Sequence, residues 1–494
     1  MALIIALLVL TLLSFGRILS LSFGWDDYTS LYFTVHNKLF QYPYYADQFR
    51  FVPLFRLFGL SPMPYYAVSL VLFFVDALLL VILAYRITNN RAVAVVTAVF
   101  FIVSFVGSDS MYYAVEGLRN TQFLLLLLAT LFAYISFQKA KRQWLYAATL
   151  AGFIIITVVF PYRAFFVLPL LFVVDRSATK PDLLKTTLLR LLPFLFIDLF
   201  LYLVLPKLPG VKNIMGHIRP TSFLATPIWL HVRNFSLTWL YFLIPSSFFT
   251  RFPQLHQTVK PFMPWIGMML FLAPAFFLFR SRPSVFLRLA RINFWFLSIV
   301  LLSFVLIVNA SFTTEYRYLL VARPFAAMFI AGLLFHLMSR SNRQRLIAKF
   351  FIFVLTISIV LNVYEHVVYQ TQIIDRRGAF AKKVIATIKA HVPIIQRNTL
   401  FFLDADENEQ RDRFAEATRV GTLPAGASLA VYYGTDYEQI EIADRVHCDV
   451  FQSVLETWRG EPVDIYYFFT DGNKIIQKPK ERAFELCNIT AFGQ

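Results

Sequence analysis

The chain has 494 residues, of which 58% are hydrophobic and 15% charged, whereas soluble domains have about 45–50% and 25%. This composition excludes a soluble globular enzyme, a disordered chain and a fibrous protein, and it predicts a polytopic helical membrane protein. The net charge of +17 comes from residues 1–369, which carry 31 basic and 11 acidic side chains. The positive-inside rule explains that excess without a nucleic-acid partner.

Apolar runs along the chain predict about eleven transmembrane helices. The runs are 2–22, 65–85, 92–107, 120–137, 143–160, 164–174, 191–205, 264–279, 292–309, 319–338 and 349–366. The first run lacks a basic leader and a small-residue cleavage site, so we expect a retained helix rather than a cleaved signal.

The charges of the short loops predict the orientation. With a cytoplasmic N-terminus, five short cytoplasmic loops contain 17 Lys and Arg, whereas the short outer loops contain only Arg119, Arg163 and Arg317. Because all five loops agree, the charges favour the topology with a cytoplasmic N-terminus. Two longer outer loops then cover about 23–64 and 206–263.

The second long outer loop is unusually apolar. Pro227, Arg233 and Pro245 interrupt its apolar stretch, and one more span there would break the later charge pattern. We therefore expect interfacial helices, with Trp229 and Trp239 at the level of the lipid headgroups.

The composition changes after about residue 366, which separates a membrane module (1–366) from a C-terminal domain (367–494). Charges become dense, and runs of Val and aromatic residues predict strands at 399–403, 428–433 and 463–469. Residues 405–419 predict a helix. The sequence thus predicts a soluble extracytoplasmic α/β domain.

Both cysteines, Cys448 and Cys487, lie in this C-terminal domain. An oxidising outer compartment would permit a disulfide between them. Two unpaired buried thiols are the alternative.

An acidic pair, Asp26 and Asp27, follows the first helix in the segment FGWDDYTSLYF. Adjacent carboxylates at a membrane boundary repel each other and lose solvation. One interpretation is a helix N-cap. The other is a catalytic base with a partner acid, able to deprotonate a hydroxyl that arrives from the outer side.

A second acidic motif, Asp109 and Glu116, lies before the fourth predicted span. Arg119 follows Glu116 by three residues, so a simple ion pair within a helix is one interpretation. The other is an acidic site beside a phosphate-binding arginine, in which Asp109 and Glu116 could hold Mg²⁺ or Mn²⁺.

Three further arginines, Arg163, Arg317 and Arg323, lie near the outer ends of predicted spans. They are either snorkelling anchors or guanidinium groups that bind a lipid phosphate. Asp76 and Asp198 fall inside spans, which keeps a polytopic transporter or a lipid or glycan flippase as the alternative function.

These motifs and their places in the topology resemble the GT-C superfamily of membrane glycosyltransferases. That superfamily includes protein O-mannosyltransferases, aminoarabinose transferases and oligosaccharyltransferases. WDDY (25–28) matches the acidic pair of the first outer loop, although the family more often has Asp-Glu. YYAVEGLRN (112–120) matches the second acidic motif, with Glu-x-x-Arg where many relatives have Glu-x-Arg.

The resemblance implies a GT-C fold and a polyprenyl-phosphate-sugar donor, from which the sugar moves to an acceptor hydroxyl on a lipid, glycan or protein. Asp26 would be the base, and Asp27 or Glu116 would help to orient the acceptor or a metal. The guanidinium groups of Arg119, Arg163 and Arg317 would hold the donor phosphate.

Overall fold

The computed structural model describes most of the chain. The described residues are 1–37, 45–160, 166–178, 184–204, 227–241, 244, 252–282, 284–307, 316–339, 342–418, 426–472 and 474–489. They divide into two compact units. The first contains residues 1–16, 68–111 and 117–369, and the second contains residues 17–67, 112–116 and 370–494.

Helices dominate the chain up to residue 391. They are α1 (Ala2–Phe15), α2 (Trp25–Val35), α3 (Tyr45–Phe58), α4 (Pro62–Thr88), α5 (Arg91–Val103), α6 (Ala114–Ala140), α7 (Gln143–Val159), α8 (Val167–Ala178), α9 (Leu184–Val204), α10 (Ile228–Tyr241), α11 (Pro253–Val259), α12 (Met263–Arg280), α13 (Val285–Ile307), α14 (Arg323–Met338), α15 (Asn342–Arg377) and α16 (Ala379–His391).

Each of the eleven predicted apolar runs falls on one of these helices. Among the described residues, seven helical segments are long and apolar enough to cross a membrane, and α5 and α7 are shorter apolar helices. The polytopic helical membrane protein is therefore confirmed. The count of eleven spans and the orientation of the termini stay predictions.

Helix α10, in the second long loop, packs tightly on α12. A Cβ atom on Gly267 would lie 1.8 Å from the Ser236 carbonyl oxygen, so only glycine allows this approach. Trp239 is buried, and its ring packs against Phe271, Phe294 and Phe329. Protein rather than lipid therefore covers the ring of Trp239, and its level relative to the headgroups stays a prediction. Trp229 on the same helix is exposed.

Arg323 begins α14 and is buried in the first unit. Its guanidinium carbon lies 5.8–5.9 Å from the ring centroids of Phe15, Phe73 and Phe101. Its Nη2 donates a hydrogen bond of 2.7 Å to Ser108 Oγ. Cation–π contacts of this kind stabilise a charge that is away from water, so Arg323 is not a snorkelling anchor.

The C-terminal residues of the second unit form an α/β fold. Its elements are β1 (Asn398–Ala405), α17 (Asn408–Thr418), α18 (Ala427–Tyr433), β2 (Ile440–Ala443), α19 (Cys448–Thr457), β3 (Val463–Thr470), β4 (Ile475–Lys478) and α20 (Glu481–Leu486). The sheet order is β2-β1-β3-β4, with β1 parallel to β2 and β3, and β4 antiparallel to β3. The small sheet domain predicted from the sequence is confirmed.

One predicted strand of this domain is wrong. Residues 428–433 lie in α18, a buried helix that ends at Gly434 in the left-handed conformation (φ 67°). A short, continuous apolar run fits a buried strand and a buried helix equally well, because periodicity cannot separate them. The strands predicted at 399–403 and 463–469 lie within β1 and β3, and the helix predicted at 405–419 contains α17.

A disulfide joins Cys448, at the start of α19, to Cys487, just after α20. The bridge connects residues 39 apart in sequence, with Cα atoms 5.4 Å from each other. Of the two alternatives left by the sequence, the structure contains the disulfide.

We expect Cys448→Ala with Cys487→Ala to lower the free energy of unfolding of the C-terminal domain by about 4 kcal/mol, because the bridge restricts the unfolded chain. Chemical denaturation of the full-length variant measures the loss, and the reduced wild type is the matched control. Alkylation of the unreduced, denatured wild type by a maleimide would contradict the bridge.

Candidate functional site

The start of α2 is fixed by a reciprocal pair of hydrogen bonds in the second unit. The Asp27 backbone N–H donates to the Gly24 carbonyl oxygen at 2.7 Å. The Gly24 N–H in turn donates to Asp27 Oδ2 at 3.1 Å. A carboxylate at the third helical position thus satisfies the backbone ahead of the helix, and this sets the position of the WDDY segment.

The other Asp27 oxygen binds the start of α6. Asp27 Oδ1 accepts a hydrogen bond of 2.8 Å from the Val115 N–H, in the first turn of that helix. The next residue in the chain is Glu116, whose side chain is 2% exposed. Asp27 therefore holds the WDDY segment at the residue before Glu116, although the sequence places the two acidic residues about 90 positions apart.

Arg377, at the end of α15, lies against the same carboxylate. Its Nη2 is 3.7 Å from Asp27 Oδ2 and 3.2 Å from the Tyr66 hydroxyl oxygen. Its guanidinium carbon lies 4.4 Å from the centroid of the Tyr113 ring. Because 1% of the Arg377 side chain and none of the Asp27 side chain is exposed, the ion pair is removed from water.

Gly24 makes room for this guanidinium. A Cβ atom at position 24 would lie 2.5 Å from Arg377 Cζ, closer than real contacts allow. A larger residue at position 24 would therefore displace the Arg377 guanidinium from its place beside Asp27.

Burial raises the pKa of Asp27 from its ordinary value of 3.8 to about 6. The charge of Arg377 and the backbone N–H groups of Val115 and Gly24 act in the opposite direction and favour the carboxylate. At neutral pH Asp27 is therefore mostly ionised, but its proton affinity is well above that of an exposed aspartate.

A stripe of three side chains on α2, at four-residue spacing, binds the C-terminal part of the same unit. We call Tyr28, Tyr32 and His36 the α2 stripe. Residues four apart lie on one face of a helix. The Tyr28 hydroxyl donates to the Ala417 carbonyl oxygen at 3.3 Å and the Tyr32 hydroxyl to Asp436 Oδ1 at 2.5 Å, while His36 Nε2 lies 2.7 Å from the Thr435 carbonyl oxygen.

The structure does not describe the side chains of three predicted site residues, and it assigns two others to the first unit. Asp26 has its backbone in the first turn of α2, but its side chain lies outside the described residues, as does the side chain of Arg317. Arg163 is wholly outside them. Asp109 and Arg119 belong to the first unit. The structure thus joins Asp27 to the neighbour of Glu116 and leaves the roles of the arginines as predictions.

Among the described residues, no group of three or more His, Cys, Asp or Glu side chains is placed to hold a metal ion. The predicted pair Asp109 and Glu116 offers two carboxylates at most, and Asp27 already accepts hydrogen bonds from the backbone. The metal-binding role of Asp109 and Glu116 stays a prediction.

The sequence has no local feature that predicts the role of Arg377. Arg377 follows Arg376 at the end of a long helix, where basic residues are common, so nothing in its neighbourhood distinguishes it.

The α2 stripe is also absent from the sequence-based predictions, but the sequence does contain a signal for it. Two tyrosines and a histidine recur at four-residue spacing from the WDDY segment onward, and this spacing predicts that one face of a loop helix has a partner.

No family model and no curated protein matches the chain. A solved structure of ArnT from Cupriavidus metallidurans, bound to undecaprenyl phosphate, is similar over 95% of this chain and 92% of that chain, with 13% identity and a TM-score of 0.47.

Proposed function

We propose that the protein is a GT-C-type membrane glycosyltransferase. It takes a sugar from a polyprenyl-phosphate-linked donor and transfers it to an acceptor hydroxyl on the extracytoplasmic side. The acceptor belongs to a lipid, a glycan or a protein.

The observation that supports this proposal best is the hydrogen bond from the Val115 N–H to Asp27. It holds the WDDY helix at the residue before Glu116, so Asp27 and Glu116, from distant parts of the sequence, belong to one compact unit. Outer carboxylates held in this way suit a reaction that begins with loss of a hydroxyl proton.

In the proposed reaction, the Asp26 carboxylate takes the proton of the acceptor hydroxyl. The acceptor oxygen attacks the anomeric carbon from the face opposite the phosphate, and the bond between that carbon and the phosphate oxygen breaks. The polyprenyl phosphate leaves with the electron pair, so the transfer inverts the configuration. Cationic side chains stabilise the charge that develops on the phosphate.

The contacts of Asp27 favour a positioning role over direct contact with the acceptor. Its two oxygens accept hydrogen bonds from Gly24 and Val115, and Arg377 lies beside one of them. Asp27 therefore orients the turn that carries Asp26, while Glu116 remains the candidate that orients the acceptor.

We expect Arg163→Ala, Arg317→Ala and Arg119→Ala to raise KM for the donor more than they lower kcat. Each guanidinium would bind the donor phosphate in the ground state through a charge-assisted hydrogen bond, worth about 1.5–3 kcal/mol. The measurement is steady-state kinetics with purified protein. Arg142→Ala removes a charge from a loop predicted to be cytoplasmic and is the matched control.

The function itself is tested with purified protein and a panel of polyprenyl-phosphate sugars, by following release of polyprenyl phosphate and glycosylation of an added hydroxyl acceptor. The proposal requires release that depends on the acceptor. Transport of a lipid-linked glycan across proteoliposome membranes, with no release and with loss in Asp76→Asn, would support a flippase instead.

A further inference from the structure

A cleft opens between α4, α6, α8, α13 and α14 of the first unit. Its space not filled by protein atoms is about 680 Å³, including the open space at its mouth. Eight of its twelve described lining side chains are apolar, among them Leu131, Ile135, Ile292 and Phe296. Its walls therefore suit a hydrocarbon chain.

Two exposed cations, Lys139 and Arg288, also line the cleft. Within the part of the chain that the structure describes, neither forms an ion pair, and Lys139 Nζ donates to the Arg86 carbonyl oxygen. Arg288 lies in the first turn of α13, where the helix dipole disfavours a cation. An anion beside Arg288 would relieve this unfavourable interaction.

The nearby carboxylate cannot supply that anion, because its partners already surround it. Asp175 is fully buried and accepts hydrogen bonds from Tyr134, Gln138 and Thr187, and Arg190 is its ion-pair partner at 3.3 Å. The charge of Asp175 is thus balanced within its own network, and the charges of Lys139 and Arg288 remain.

The cleft extends inward from these cations. Leu131 and Lys139 both line it, and eight residues of helix span about 12 Å. Asn293, deeper than Arg288 on α13, is fully buried. Its Nδ2 donates to the Leu289 carbonyl oxygen, while its Oδ1 has no hydrogen-bond partner among the described residues. An unsatisfied buried acceptor is costly, so Asn293 Oδ1 is available to a polar group of a ligand.

We propose that this cleft binds an anionic phospholipid of the surrounding membrane. The phosphate lies between Lys139 and Arg288, and an acyl chain enters along Ile135 and Phe296. The loop charges predict that this end of the helices is cytoplasmic, whereas the donor lipid is expected on the outer side. The lipid site is therefore separate from the proposed transferase function and does not depend on it.

The test uses the full-length protein, purified in detergent and freed of native lipid. Phosphatidylglycerol and phosphatidylcholine with identical acyl chains are titrated separately, and bound lipid is counted by native mass spectrometry. We expect phosphatidylglycerol to bind about tenfold more tightly or better, since charge-assisted contacts add to the same apolar burial. Equal affinities would overturn the proposal, as would displacement of the lipid by millimolar inorganic phosphate.

Variants test the cationic mouth of the cleft and its apolar wall separately. Lys139→Gln with Arg288→Gln should lower the affinity for phosphatidylglycerol about tenfold or more and leave phosphatidylcholine unchanged. Ile135→Trp fills the apolar part and should weaken both lipids, with the melting temperature of the lipid-free variant as the check on folding. The control pair Arg91→Gln with Arg142→Gln removes the same charge from exposed helix starts outside the cleft. An equal loss in this control pair would show general charge attraction and refute the site.

Discussion

We expect Asp26→Asn to lower kcat by about 10²–10⁴-fold, the usual effect of removing a general base. The substitution keeps the shape of the side chain and removes only its ability to take a proton. The KM for the polyprenyl-phosphate donor should change little, because the donor phosphate is bound by other groups. Single-turnover and steady-state kinetics with the same donor and acceptor measure both parameters.

Asp412→Asn, an exposed change on α17, is the matched control and should keep full activity. The substitution Asp27→Asn tests which of the two adjacent aspartates is the base. If Asp26→Asn were fully active and Asp27→Asn inactive with an unchanged melting temperature, the base would be Asp27. Full activity in both variants would end the proposed mechanism.

Replacing Arg377 should strongly reduce the stability of the protein. We expect Arg377→Met to lower the free energy of unfolding by about 3–5 kcal/mol, since it leaves the buried Asp27 carboxylate without its cation. The double variant with Asp27→Asn should recover much of that loss, because it removes both charges together. Chemical denaturation in detergent measures the three variants as a double-mutant cycle.

The control for this cycle is Arg482→Met. Arg482 pairs with Glu485 at 3.7 Å, and their side chains are 63% and 68% exposed; exposed pairs contribute about 0–1 kcal/mol. A loss in Arg377→Met no larger than that in Arg482→Met, or no recovery in the double variant, would contradict a buried pair that positions α2.

The same pair predicts a pH dependence. The pKa of Asp27 is raised by burial from 3.8 to about 6, so the folded state holds this proton more tightly than the unfolded state. The contribution of Asp27 to stability is therefore full below about pH 4 and declines as pH rises to about 6, by about 3 kcal/mol in all. Asp27→Asn should abolish this decline. An identical pH profile for wild type and variant would refute the raised pKa.

Much of the helical architecture follows from the sequence, because long apolar runs have few alternatives in a membrane. The acidic pair Asp26 and Asp27 could also be predicted as a site, because carboxylates are rare in residues 1–369. The sequence does not show which of the two is the base and which is the positioning residue. Only the contacts of Asp27 with Gly24, Val115 and Arg377 distinguish the positioning residue from its neighbour.

Other features depend on contacts between distant parts of the chain. Arg377 lies 350 residues after Asp27, and no local pattern predicts that they meet. The strand predicted at 428–433 is a helix, because tertiary packing rather than periodicity decides the structure of short apolar runs. The burial of Trp239 has no local signal either, because its aromatic partners on α12, α13 and α14 come later in the sequence.

The α2 stripe also bears on how the protein is made. Tyr28, Tyr32 and His36 bond to groups that follow them by 389 to 404 residues. At about 5–20 residues per second, a ribosome takes roughly 20–80 s to synthesise that length. A nascent chain thus has every predicted span before it has the residues that fix the WDDY helix. Premature termination near residue 400 would yield a membrane-inserted protein whose helix α2 lacks these hydrogen bonds. Activity would therefore require synthesis of the last hundred residues.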